Sequence, residues 1–163
     1  MAGFSRADDN ATPIPGVKIL VVAARFNDNI VSLLREGALA ALERLGADAT
    51  VIEVPGALEI APAIAIALNA AQKAGAPYDG VVALGCVIRG ETYHFEIVAN
   101  ESARALTDLA VSNRLPLGNG ILTVENEQQA IVRADPKQGD KGGDAALAAL
   151  ALVRLARKLE ARA

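Results

Sequence analysis

An α/β fold, with helices on both faces of a parallel sheet, is what this 163-residue sequence predicts. Three observations carry the prediction. Short β-branched runs alternate with longer segments of helical periodicity along the whole chain. Several of those runs are apolar at nearly every position, as in strands buried on both faces. A helix stands between each strand and the next, which returns successive strands parallel to one another. No linker, low-complexity tract or internal repeat interrupts the pattern, so the length corresponds to one domain able to bury a real core.

Residues 17–24, Val-Lys-Ile-Leu-Val-Val-Ala-Ala, form the first strand. Ile30, Leu33, Leu34, Ala38, Ala41, Leu42 and Leu45 then recur at helical spacing until Gly46 closes the segment. Asn27, Asp28 and Asn29 offer N-caps for that helix. Residues 50–54 are the second strand, ended by Pro55-Gly56, and 60–74 the second helix, with Pro62 tolerated in its first turn. Residues 80–88 form the third strand, 93–113 the third helix and 117–124 the fourth strand. A short helix spans 127–133, and a long terminal helix follows over 144–162 after a loop rich in Gly, Lys and Asp. Residues 1–13 are polar and read as a flexible arm ahead of a single domain over 14–163.

Composition removes several classes of function. The chain is 52% hydrophobic but 3% aromatic, so its bulk is aliphatic and suited to closely packed helices. A single Cys excludes an internal disulfide framework. One Cys and one His fall short of the about four ligands a tetrahedral zinc site needs. Net charge is −3, with no basic footprint for nucleic acid. No apolar run approaches the roughly 20 residues of a membrane helix, and the N-terminus lacks a signal-type apolar stretch. A soluble, cytoplasmic protein is the expectation. Residues 61–74 and 144–155 are apolar nearly all round, which suggests burial between subunits. An Ala-rich solvent face is the plainer alternative.

In open α/β sheets ligands bind beyond the carboxyl ends of the strands. Each strand here ends in a polar or glycine cluster: Arg25-Phe26-Asn27, Pro55-Gly56-Ala57-Leu58-Glu59, Arg89-Gly90-Glu91-Thr92-Tyr93-His94, and Thr123-Val124-Glu125-Asn126. Phe26 either stacks on a flat heterocycle or folds back on the core. Gly56 allows close approach of a ligand to the backbone. Glu59 either accepts hydroxyl hydrogen bonds from a polyol or merely faces a helix N-terminus. Gly90-Glu91-Thr92 lies just before a helix, where backbone N–H groups suit an anion, and Arg89 adds charge. The P-loop and dinucleotide glycine patterns are both missing.

His94 is the one His in the chain, so any His acid/base chemistry falls to it. Helix starts disfavour positive charge, which suits a His there to accepting a proton. Arg133 and Lys141 flank a mixed-charge stretch that is either a solvated loop or a clamp for an anionic substrate. Cys86, inside an apolar run, reads as a buried structural thiol rather than a nucleophile.

Taken together, these clusters resemble the lumazine synthases over essentially everything from Val17 to the terminal helix. The motifs are Arg25-Phe26-Asn27, Val54 to Glu59, Gly85 to His94, Gly120-Ile121-Leu122-Thr123, Glu127-Gln128-Gln129-Ala130, and Arg133 with Lys141-Gly142. The resemblance implies a three-layer α/β/α flavodoxin-like fold with a four-stranded parallel sheet. It implies condensation of 5-amino-6-ribitylamino-2,4-pyrimidinedione with 3,4-dihydroxy-2-butanone 4-phosphate, and no cofactor or metal. Phe26 would stack on the pyrimidine, while Gly56, Ala57 and Glu59 would meet the ribityl chain. Cys86, Val87 and Ile88 would reach the ring through backbone groups. Gly90, Glu91 and Thr92 would form the phosphate turn, and His94 would move the proton. Arg133 from a neighbouring subunit would clamp the phosphate, with Lys141 nearby.

The family's self-association, as free pentamers or as pentamer-based icosahedral shells, would make the site a shared one. Asn119 departs from the pattern, because many members place an aromatic residue there that packs onto the neighbour's substrate. Asn119 can hydrogen-bond a ring edge but cannot stack. The loop 134–140, which influences shell closure, also differs in sequence. The alternative function is a shell or scaffold protein, natural or engineered, that holds a flavin or lumazine without turnover. An electron carrier is disfavoured, since no Ser/Thr-rich flavin-phosphate loop follows the first strand.

Overall fold

The computed structural model describes residues 12–162. They run β1 (Lys18–Ala24), α1 (Asp28–Arg44), β2 (Asp48–Val54), α2 (Ile60–Lys73), β3 (Gly80–Ile88), α3 (His94–Asn113), β4 (Leu117–Val124), α4 (Glu127–Ala134) and α5 (Lys141–Glu160). A single 3-10 turn, Ala57–Glu59, joins β2 to α2. The four strands are parallel throughout, in the order β2-β1-β3-β4. β1 and β3 therefore lie inside the sheet, and both are buried along almost their whole length. β2 is an edge strand and is mostly exposed, despite its β-branched residues.

Side chains alternate across the central strands, as a period of two requires. Ile19, Val21 and Ala23 join Val82 and Leu84 in a core under α1, α4 and α5. Leu20, Val22 and Ala24 join Val81 and Ala83 in a second core under α2 and α3. The result is a three-layer α/β/α sandwich with flavodoxin-like topology. Ile14 is buried and its N–H donates to the Leu45 carbonyl at 2.8 Å, so the chain packs from that residue on. Most of the polar arm expected over 1–13 falls outside the described residues. No helix among the described residues is long and apolar enough to cross a membrane.

β2 and α5 start earlier than expected, while α1 settles on the first of its three offered caps. β2 begins at Asp48, because the β1 ladder pairs Lys18 with Asp48 and Ile19 with Ala49 whatever their hydropathy. α1 begins at Asp28, with Asn27 as its cap residue. α5 begins at Lys141, three residues before the expected start, and Asp140 caps it by accepting from the Gly143 N–H at 3.1 Å. Gly142 and Gly143 read as loop residues, yet both are buried helix. A Cβ on Gly142 would stand 1.9 Å from the Leu34 carbonyl oxygen, and one on Gly118 would stand 1.9 Å from that of Ala145. Those glycines let α5 lie directly on α1 and β4.

This seating covers one stripe of α5 within its own chain, while Leu152, Leu155 and Leu159 on the same helix stay exposed. Ala145, Ala146, Ala149, Leu150 and Val153 are buried within the chain itself. On α2, Ile60, Ala61 and Ile64 face the core, whereas Ile66 is 71% exposed.

Candidate active site

The strand exits converge because the ladder hydrogen bonds run past the strands. Arg25 N–H donates to the Val54 carbonyl at 2.8 Å, and Phe26 N–H to that of Pro55 at 3.0 Å. Phe26 is thereby held at the exit of β1 with its ring 74% exposed, so it is not folded onto the core. Asn27 takes the left-handed conformation (φ 59°), which Asn tolerates better than most residues. Its side chain does not cap α1; Nδ2 donates across to the Cys86 carbonyl at 2.9 Å. One amide thus ties the end of β1 to the end of β3.

At the exit of β2, Gly56 is extended and the 3-10 turn begins at once, with Glu59 N–H donating to the Gly56 carbonyl at 3.1 Å. A Cβ on Gly56 would lie 3.2 Å from Glu59 Oε2. The space the glycine leaves accommodates the carboxylate of its own chain. Glu59 makes no capping hydrogen bond to α2, although it occupies the cap position.

At the exit of β3, Cys86 is buried, and burial pushes its thiol up to about 11. That thiol stays protonated and is a poor nucleophile near neutrality. Beyond it the turn Gly90-Glu91-Thr92 is exposed, and His94 is the first residue of α3. Arg89, expected to lend charge to this turn, is committed elsewhere. Its Nε donates to Glu125 Oε2 at 2.7 Å and its Nη1 to Glu96 Oε1. Its guanidinium lies 4.2 Å from the Phe95 ring centroid. The Arg89 hydrogen bond holds the Glu96 carboxyl below the usual carboxylate range. Two carboxylates neutralise this cation, and that corrects the expectation.

The exits enclose a cleft of about 470 Å³. Phe26, Gly56, Ala57 and Glu59 line one side, and Cys86, Val87 and Ile88 its floor. Gly90, Thr92 and His94 line the other. Leu58, Phe95 and Val98 also line it, and sequence reading did not single them out as ligand-facing. A helical signal existed for Val98, which stands one turn beyond His94 on the same face.

Glu91, Asn119, Arg133 and Lys141 are not among the lining residues. Asn119 is exposed halfway along the edge strand β4, its Oδ1 accepting from the Ile121 N–H at 2.9 Å. Arg133 ends α4 and donates through Nη1 to the Gln129 carbonyl at 3.0 Å. Lys141 opens α5 and pairs with Asp144 at 3.0 Å. Both cations belong to helices in the layer across the sheet from α2 and α3.

A family model described as 6,7-dimethyl-8-ribityllumazine synthase matches residues 16–157, from just before β1 into the last helix. The chain belongs to this family. Curated relatives bearing the same name align over nearly the whole length. One from Methylocella silvestris is 62% identical over 155 residues, covering 95% of this chain and 93% of its own. A synthase 1 from Rhodopseudomonas palustris is 57% identical over 160 residues, with 98% of each chain covered. Another synthase 1, from Rhizobium meliloti, is 60% identical over 148 residues, covering 91% of this chain and 97% of its own. The lumazine-synthase match spans all four strands and every residue that lines the cleft.

Proposed function

We propose that the cleft at the carboxyl edge of the sheet is where this chain performs the reaction of its family. The chain is an enzyme, a transferase of riboflavin biosynthesis that makes 6,7-dimethyl-8-ribityllumazine. The substrates are 5-amino-6-ribitylamino-2,4-pyrimidinedione and 3,4-dihydroxy-2-butanone 4-phosphate, and phosphate and two waters are released. Turnover is favoured over a purely binding or scaffold role. The observation that carries the assignment of roles is that one cleft holds an exposed aromatic ring, a free-standing carboxylate, an anion-type turn and the chain's one His.

Phe26 stacks on the pyrimidine. Gly56 and Ala57 leave room for the ribityl chain, and Glu59 accepts its hydroxyls. Val87 and Ile88 present backbone groups to the ring edge; the Cys86 carbonyl already accepts from Asn27. Gly90, Glu91 and Thr92 take the phosphate on N–H groups before α3. His94 moves protons during imine formation, phosphate loss and ring closure. Holding two substrates together supplies most of the rate. No cofactor enters this scheme.

Arg133, Lys141 and Asn119 act from a neighbouring subunit. Their distance from their own cleft supports that reading, as does the exposed outer face of α2. The assembly is a pentamer, free or closed into an icosahedral shell, working in the cytoplasm.

The test is formation of the lumazine, followed by its absorbance, from the two substrates and purified protein. His94→Ala is expected to lower turnover about 100-fold or more. Arg133→Ala removes a charge-assisted contact of about 1.5–3 kcal/mol, or roughly 10- to 100-fold, with assembly mass unchanged. Unchanged rates in both variants would remove these roles.

A further inference from the structure

The segment Gly90–His94 carries both the anion turn and the imidazole, yet it has little of its own to hold it. All five residues are exposed. A Cβ on Gly90 would meet nothing within 4 Å. Among the described residues, no side chain of the five has a hydrogen-bond partner. Among the described residues its anchors are at its two ends, and Arg89 belongs to both.

On the strand side, Arg89 N–H donates to the Val124 carbonyl at 2.9 Å, and its Nε reaches Glu125 at the exit of β4. On the helix side, the same guanidinium donates to Glu96 and sits over the Phe95 ring. Phe95 is the residue after His94, and its ring lines the cleft. One planar cation therefore closes the turn like a clasp, with β4 as its fixed post. A planar, forked donor suits this duty, because two carboxylates and a ring face are engaged at once.

We propose that Arg89 is a positioning residue, which sets the phosphate turn and His94 through Glu96, Glu125 and Phe95 without touching substrate itself. The proposal rests on the assignment of the turn to phosphate and of His94 to proton transfer.

Three variants test it in the assembled enzyme: Arg89→Met, Arg89→Lys and Glu125→Gln. The readouts are kcat, the KM for each substrate, and the inhibition constant of inorganic phosphate. Arg89→Met is expected to raise the KM for the phosphorylated substrate and the phosphate inhibition constant about tenfold or more and to lower kcat. The KM for the pyrimidine should move less than twofold, since Phe26, Ala57 and Glu59 are untouched. Arg89→Lys should recover part of the loss.

Glu125→Gln decides between a clasp and a direct ligand. A clasp weakened at one arm raises the KM for the phosphorylated substrate. An Arg89 that binds phosphate itself is freed by this change and lowers it. Such a fall, or equal rises in both KM values in Arg89→Met, overturns the proposal. Should Arg89→Met fail to fold, unchanged constants in both Arg89→Lys and Glu125→Gln overturn it. If His94→Ala and Arg133→Ala leave the rate intact, it is the underlying assignment that fails. If they slow the enzyme while the Arg89 variants do not, the clasp alone fails.

Discussion

Helices α2 and α5 are both rich in aliphatic residues and are seated differently on the sheet. α5 sinks one stripe into the chain, with Leu150 and Ala149 fully covered, and leaves Leu152, Leu155 and Leu159 exposed. α2 covers Ile60 and Ile64 but leaves Ile66 in the open. What separates them is the surface each helix meets. Gly118 and Gly142 strip away the side chains that would hold α5 off β4 and α1. α2 meets β1 and α3 along one stripe, so its outer face, with Ile66, has no partner among the described residues. Apolar composition says that a helix will be covered; bare backbone in its neighbours says whether its own chain can do it.

That contrast can be broken experimentally. The largest effect is expected from Gly142→Val, which would place side-chain carbon against the Leu34 carbonyl. Loss of the folded state, read by circular dichroism and thermal unfolding, is the expected result; a folded protein of normal stability would show that α5 is not docked by glycine. Leu150→Ala follows, at about 2–5 kcal/mol of unfolding free energy for a fully buried leucine. Ile66→Ser should leave secondary structure unchanged, as substitutions of exposed residues usually do. It should lower the mass seen by light scattering if that face joins subunits, and an unchanged mass would remove α2 from the interface.

The same division runs through the site. The α2/α3 side holds the ring, the carboxylate and the imidazole, while Arg133 and Lys141 belong to the other layer. Mixed assemblies of His94→Ala and Arg133→Ala subunits sharpen that comparison. If sites are shared, some interfaces combine an intact cleft with an intact Arg133, and part of the activity returns. If each chain works alone, mixing restores nothing.

The smallest effect concerns Cys86. Its folded pKa is raised above the ordinary value near 9 to about 11. Burying the neutral thiol therefore contributes stability that is complete below pH 9 and disappears as pH climbs towards 11. Denaturant unfolding at pH 8 and at pH 10.5 should show a larger loss for the natural protein than for Cys86→Ala.

Much of this was legible in the residues. The central strands announced themselves because both their faces are covered, and the cleft residues because polar clusters recur wherever such strands stop. The start of β2 was hidden because Asp48 and Ala49 are poor strand formers and their pairing depends on Lys18 and Ile19, far away in the chain. The start of α5 was hidden by glycines whose purpose is visible only from Leu34. Arg89 looked like a free cation because Glu125 lies 36 residues away and no spacing announces the pair. Leu58 and Phe95 look like ordinary core residues until the exits are brought together.

The rim of β4 is guarded by a side chain of its own strand. An edge strand offers unpaired N–H groups to any passing strand, and fresh chains are most exposed to that hazard while still alone. Asn119 folds its carbonyl onto the Ile121 N–H and occupies one of those donors. An aromatic residue there could not do so. The side chain that gives up stacking thus leaves the bare edge of β4 one fewer open donor for a foreign strand to pair with.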